Sequence, residues 1–92
     1  MDISDILKNK KSHLFDTYSI EYLAIFGSYV RNEHVRNSDL DILVEFNKPI
    51  GIEFIELADE LEKLLELKVD LISRNGLKPK YFKAIEQELI FI

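Results

Sequence analysis

Asp39 and Asp41 stand two residues apart in the run Ser38-Asp39-Leu40-Asp41-Ile42-Leu43-Val44. Residues two apart on a strand project from one face. Carboxylates held that close repel, and one is driven towards protonation unless a cation lies between them. Magnesium resolves the conflict. It takes hard oxygen ligands at about 2.0–2.1 Å, commonly one or two carboxylates completed by waters and substrate phosphates. The next carboxylate at a strand position is Asp70, within Val69-Asp70-Leu71-Ile72. From a second strand it could supply a third ligand, and two ions about 3.5–4 Å apart can stabilise both oxygens of an in-line displacement.

Upstream, Gly27-Ser28 follows an apolar run and stands where a strand would turn into a helix. Glycine permits a tight turn and puts no side chain in the way of a phosphate. Amides at a helix N-terminus form an anion site. Ser28 is a good N-cap, and its hydroxyl can also donate to a phosphate oxygen. Arg31 could reach the same phosphate; the plainer reading is a surface arginine. Positioning and charge neutralisation are most of what a protein contributes to phosphoryl-type transfer, so this small set could suffice.

The elements that must hold these residues follow from hydrophobic period. Residues 3–18 place Ile3, Ile6, Leu7, Leu14, Phe15 and Tyr18 near one face of a first helix. Ile20 to Phe26 reads as a central strand buried on both sides. Residues 38–46 alternate, with Leu40, Ile42, Val44 and Phe46 on one face and Asp39, Asp41, Leu43 and Glu45 on the other. From Ile52 to Leu67 the spacing of Phe54, Leu57, Ala58, Leu61, Leu64 and Leu65 is helical. Lys68 to Ser73 reads as a third strand with Val69 and Leu71 inward. Arg74-Asn75-Gly76 is a turn. Pro79 suits the start of a last helix with Tyr81, Phe82, Ile85 and Leu89 on its apolar side. The expected fold class is α/β (α+β), a small mixed sheet flanked by helices.

Composition narrows the choice of function. The 92 residues are expected to form a single domain, 1–92, with one modest core and little room for a separate acceptor pocket. The acceptor would then come from a partner or from a second copy of the chain. Cysteine is absent, which excludes disulfides, thiolate metal sites and a cysteine nucleophile. The two histidines, His13 and His34, have no companion at metal-site spacing and read as surface residues. Tyr29, beside Ser28, is the one aromatic placed to border a base; rim packing is the plainer reading. The net charge is −5, and the stretch from Glu53 to Glu66 holds the whole excess. That argues against direct nucleic-acid binding, which needs a basic surface. The acidic stretch reads as a solvated helix face. The acidic N-terminus and the lack of a membrane-length apolar run point to a soluble, cytoplasmic protein.

Taken together, Gly27-Ser28 and Ser38-Asp39-Leu40-Asp41-Ile42-Leu43-Val44 resemble the signature of the polymerase-β-like nucleotidyltransferase superfamily. Over nearly the whole chain the sequence is similar to the minimal nucleotidyltransferases, the MNT antitoxins paired with HEPN-domain toxins. Leu61-Glu62-Lys63-Leu64-Leu65, Lys68-Val69-Asp70-Leu71-Ile72 and Leu77-Lys78-Pro79 add to the likeness. The resemblance implies that Asp39 and Asp41 bind the magnesium that carries ATP. It also implies that Asp70 binds metal and helps deprotonate the attacking hydroxyl, and that Gly27 and Ser28 hold the phosphates. The acceptor it implies is a tyrosine of a cognate HEPN ribonuclease toxin, held in a stable complex. Where many members carry Ala-Arg-Gly, this chain has Val30-Arg31-Asn32; asparagine is the best substitute for glycine in a left-handed turn. Two other readings stay open: an antitoxin that neutralises by binding alone, and the catalytic subunit of a small-molecule transferase similar to the aminoglycoside-modifying enzymes.

Overall fold

The computed structural model describes residues 2–27, 30 and 39–92. Helices α1 (Ile3–Asn9) and α2 (Lys11–Tyr18) precede strands β1 (Ile20–Phe26) and β2 (Leu40–Phe46). Helix α3 (Glu53–Leu65) leads to β3 (Val69–Ser73), and α4 (Pro79–Ile85) to the short strand β4 (Ile90–Phe91). The sheet has the order β3-β2-β1-β4. β1 runs antiparallel to β2 and β4, whereas β2 and β3 are parallel. The mixed sheet flanked by helices is the architecture expected from the residue pattern.

Residues 3–18 form two helices and not the single one expected. The backbone leaves helical geometry at Lys10, at φ −104° and ψ 7°. Leu7 and Leu14 are fully buried, but no apolar residue lies between them to anchor an intervening turn. Lys8 and Lys11, three apart, would also repel on one helix face. Asp2 caps α1, its carboxylate accepting the Ser4 amide at 3.3 Å.

Alternation sorts the sheet into two faces. Leu40, Ile42 and Val44 of β2, Leu23 and Ile25 of β1, and Val69 and Leu71 of β3 pack with Leu7, Leu14, Leu57 and Leu61 in one core. A bulge between Ile20 and Tyr22 turns Ile20 into the same core although its parity is that of Tyr22. On the opposite face Ala24, Phe26 and Leu43 are buried too. The Arg74 guanidinium lies 3.9 Å from the Phe82 ring centroid, tying the end of β3 to α4.

The C-terminal segment departs from the sequence reading. α4 stops at Ile85, a 3-10 turn covers Glu86–Glu88, and β4 follows. Leu89 therefore lies outside the helix, and Tyr81, expected on its apolar side, is exposed. A strand of two residues carries no readable period, and its pairing with β1 is a tertiary choice.

The acidic stretch on α3 is more than a solvated face. Leu57, Leu61 and Leu65 form its buried stripe. On the other side the Glu60 carboxylate accepts the Tyr18 hydroxyl at 2.6 Å and lies 2.9 Å from the His13 ring. The Tyr18 bond holds the Glu60 carboxyl below its ordinary value, and burial opposes it. Burial and the same bond push the Tyr18 hydroxyl up to about 12.

Two outcomes follow for stability. Leu61→Ala should lower the unfolding free energy by roughly 2–5 kcal/mol, read as a fall in urea midpoint at unchanged slope. The Glu60 contribution has the sign of a depressed acid. It is present above the ordinary value of 4.5 and is lost as pH falls through the depressed one. Tyr18→Phe should remove the main cause of that depression. The stability gap between wild type and variant should therefore narrow in urea titrations run below that pH.

Candidate active site

β2 and β3 pair in parallel with Leu40 opposite Val69, Asp41 opposite Asp70 and Ile42 opposite Leu71. Parallel strands joined through α3 need no more than a helical crossover, and the helix covers the apolar face. Since Leu40 and Val69 turn into the core, Asp41 and Asp70 rise together on the other face. Neighbouring strands lie about 4.8 Å apart, which is carboxylate-to-carboxylate reach for one cation. Asp39, one residue before the strand, has the parity of Asp41 and is exposed, as is Asp70; Asp41 is half-buried.

Two bonds fix the start of β3. The Leu40 amide donates to the Lys68 carbonyl at 2.9 Å. The Val69 amide donates to the Glu62 carboxylate of α3, also at 2.9 Å. Asp70 is thus held immediately beyond a pinned residue.

β1 supplies the other wall. Phe26, buried, is the register partner of Asp41 across the antiparallel pair. Gly27 follows with φ +86°, a conformation that L side chains rarely adopt. A Cβ at Gly27 would collide with the Asp41 carboxylate, lying 3.1 Å from its Cγ. Glycine is needed here for two reasons, the backbone angle and the acid packed against it. The Gly27 amide donates to Glu88 Oε1 at 2.9 Å, and the Val30 amide donates back to the Gly27 carbonyl at 3.1 Å.

The structure therefore brings Asp41, Asp70 and Gly27 together, with Asp39 beside them in sequence. Ser28 and Arg31, expected to meet the phosphates, lie outside the described residues, as does the short helix expected from Ser28. Among the described residues no three acidic or histidine side chains converge as a ready metal cage. The donor chemistry nonetheless fits magnesium, which keeps several waters and is often held by only one or two carboxylates plus phosphates. Sequence reasoning missed Glu62 and Glu88. Each acts on a backbone amide, Glu88 across 61 positions, and no local pattern marks such a bond.

A mixed sheet that lifts paired carboxylates beside a glycine turn is the arrangement of a nucleotidyltransferase fold. The family model for the nucleotidyltransferase domain matches residues 3–92. A protein of Methanocaldococcus jannaschii, provisionally named a protein adenylyltransferase, is 45% identical over 99% of this chain and 95% of its own. The protein adenylyltransferase MntA of Thermococcus cleftensis is 39% identical over 99% of this chain and 93% of its own. A solved structure provisionally described as a minimal nucleotidyltransferase superposes with a TM-score of 0.79, at 30% identity, over 98% of this chain and 95% of that one. A chain of a toxin–antitoxin crystal structure with AMP-PNP gives a TM-score of 0.63 at 31% identity, over 77% of this chain and 60% of that one. This chain belongs to the nucleotidyltransferase domain family, and it is a nucleotidyltransferase of the minimal, MNT type.

Gly27→Ala should cost about 1–3 kcal/mol from the left-handed backbone alone, with the displaced Asp41 carboxylate adding to it. Thermal unfolding would show the loss of stability, and titration with magnesium-ATP should show weakened binding.

Proposed function

We propose that this chain is the antitoxin of a HEPN-domain ribonuclease toxin and that it transfers AMP from magnesium-bound ATP to a tyrosine of that toxin. The observation that carries the reading is the register pairing of Asp41 with Asp70, beside a glycine that only a bare backbone could occupy. The likeness to a protein adenylyltransferase and to a chain from a toxin–antitoxin structure with AMP-PNP supports the nucleotide and the kind of partner.

In this reading Asp39, Asp41 and Asp70 are the metal ligands. When bound, magnesium supplies positive charge against the triphosphate and the departing pyrophosphate. Ser28 and Arg31 hold the phosphate oxygens, and Gly27, whose amide is given to Glu88, admits them by having no side chain. Asp70 is exposed and at the rim, where an incoming hydroxyl can reach it; it accepts the tyrosine proton as the phenolic oxygen attacks the α-phosphorus. The α–β bridging bond breaks and pyrophosphate leaves. The acceptor carries AMP as a phosphodiester. Placing the acceptor hydroxyl on a partner lets docking of two proteins supply the orientation that this chemistry needs.

The test is co-expression with the product of the neighbouring gene, followed by intact-mass measurement of that partner. Added AMP is expected with wild type and none with Asp39→Asn/Asp41→Asn. Asp70→Asn should keep measurable magnesium-ATP binding while transfer falls about 10²–10⁴-fold, the usual share of a general base. If the Asp39→Asn/Asp41→Asn variant protects cells fully, neutralisation works by contact alone and the catalytic reading fails. Transfer to small hydroxylated acceptors with no protein partner present would instead favour a small-molecule transferase.

A further inference from the structure

β4 ends one rung short of the nucleotide turn. It pairs with β1 as Ala24 with Phe91 and Ile25 with Ile90, and the Ile92 amide donates to the Leu23 carbonyl at 3.0 Å. Continued in the same register, the ladder would set Gly27 opposite Glu88. The chain is not extended there, because Glu86–Glu88 coil into a 3-10 turn. The Glu88 side chain takes the rung in place of its backbone, Oε1 accepting the Gly27 amide at 2.9 Å in a half-buried setting.

A carboxylate so near a phosphate site works against anion binding by its charge. Its geometry does the opposite. A charge-assisted bond to a backbone amide is short, directional and roughly twice as strong as a neutral one. It fixes the one peptide whose positive φ sets how closely the turn approaches Asp41. We infer that Glu88 is a positioning residue for nucleotide binding, locking the Gly27 peptide from the 3-10 turn that precedes the C-terminal strand, so that this peptide meets the triphosphate in a preformed shape. This rests on the reading of the Gly27 turn as the phosphate site.

The experiment compares wild type, Glu88→Ala, Glu88→Gln and the exposed neighbour Glu86→Ala in steady-state transfer from magnesium-ATP to the co-purified partner. Direct magnesium-ATP titration and the Gly27 amide resonance by NMR accompany it. Glu88→Ala should raise KM for ATP about tenfold with kcat within about twofold, the size expected for loss of one charged hydrogen bond. Glu88→Gln keeps an acceptor oxygen and should recover most of the affinity. Glu86→Ala should behave as wild type. The Gly27 amide should shift in the alanine variant and remain close to its original position in the glutamine one. Unchanged KM in Glu88→Ala, with wild type binding ATP normally, overturns the positioning role. So does tighter ATP binding in both Glu88 variants, which would make the acid a repulsive guard. Failure of wild type itself to bind magnesium-ATP would instead strike the phosphate-site reading.

Discussion

The parallel register between β2 and β3 is the constraint on which the molecule depends. It pairs Leu40 with Val69 and Ile42 with Leu71 beneath the helices, and by alternation it pairs Asp41 with Asp70 above them. A slip of one residue would exchange the faces, burying Asp70 and exposing Leu71. The energy that seals the core therefore also sets the spacing of the carboxylates. Glu62 strengthens the arrangement from α3 by holding the Val69 amide, so the crossover helix both covers the core and pins the strand that carries the third acid.

Around that pair the other strands shape the cleft. β1 sets Phe26 against Asp41 on its apolar side and then turns at Gly27, where the Asp41 carboxylate fills the space of a missing side chain. Just before β4, at the far edge, Glu88 of the 3-10 turn reaches the same Gly27 amide. β2 and β3 thus carry the facing acids, β1 leads into the Gly27 turn, and the 3-10 turn before β4 holds the Gly27 amide. Such a site does its chemistry by charge and placement, and rigid strand ends are suited to both.

The acidic helix shows how a net charge can serve structure. Of the acids between Glu53 and Glu66, Glu53 accepts the Gly51 amide, Glu60 bonds Tyr18 and His13, and Glu62 holds Val69. Each satisfies a group at an element boundary or joins α3 to a neighbouring element. The remaining acids lie along the solvent side of the helix, opposite the stripe of Leu57, Leu61 and Leu65.

Much of this was legible in the residue order. The alternation of residues 38–46, the helical period of α3 and the Val69-Leu71 pair were enough to predict the central strands, the crossover helix and the face that Asp41 takes opposite Leu40 and Ile42. Those signals are local, because period follows from backbone geometry within one element. The break at Lys10 was not legible, since the apolar positions of α1 and α2 fall near one continuous stripe and only packing chooses where the helix yields. Nor was β4, whose two residues pair with a strand far away in the chain. What the sequence by itself determined was which side chains share a face within β2, α3 and β3. Which strands lie side by side, and hence that Asp70 stands against Asp41 and Glu88 against Gly27, was decided by the tertiary structure. Register between distant segments arises only when the core closes and each strand finds the partner that buries it.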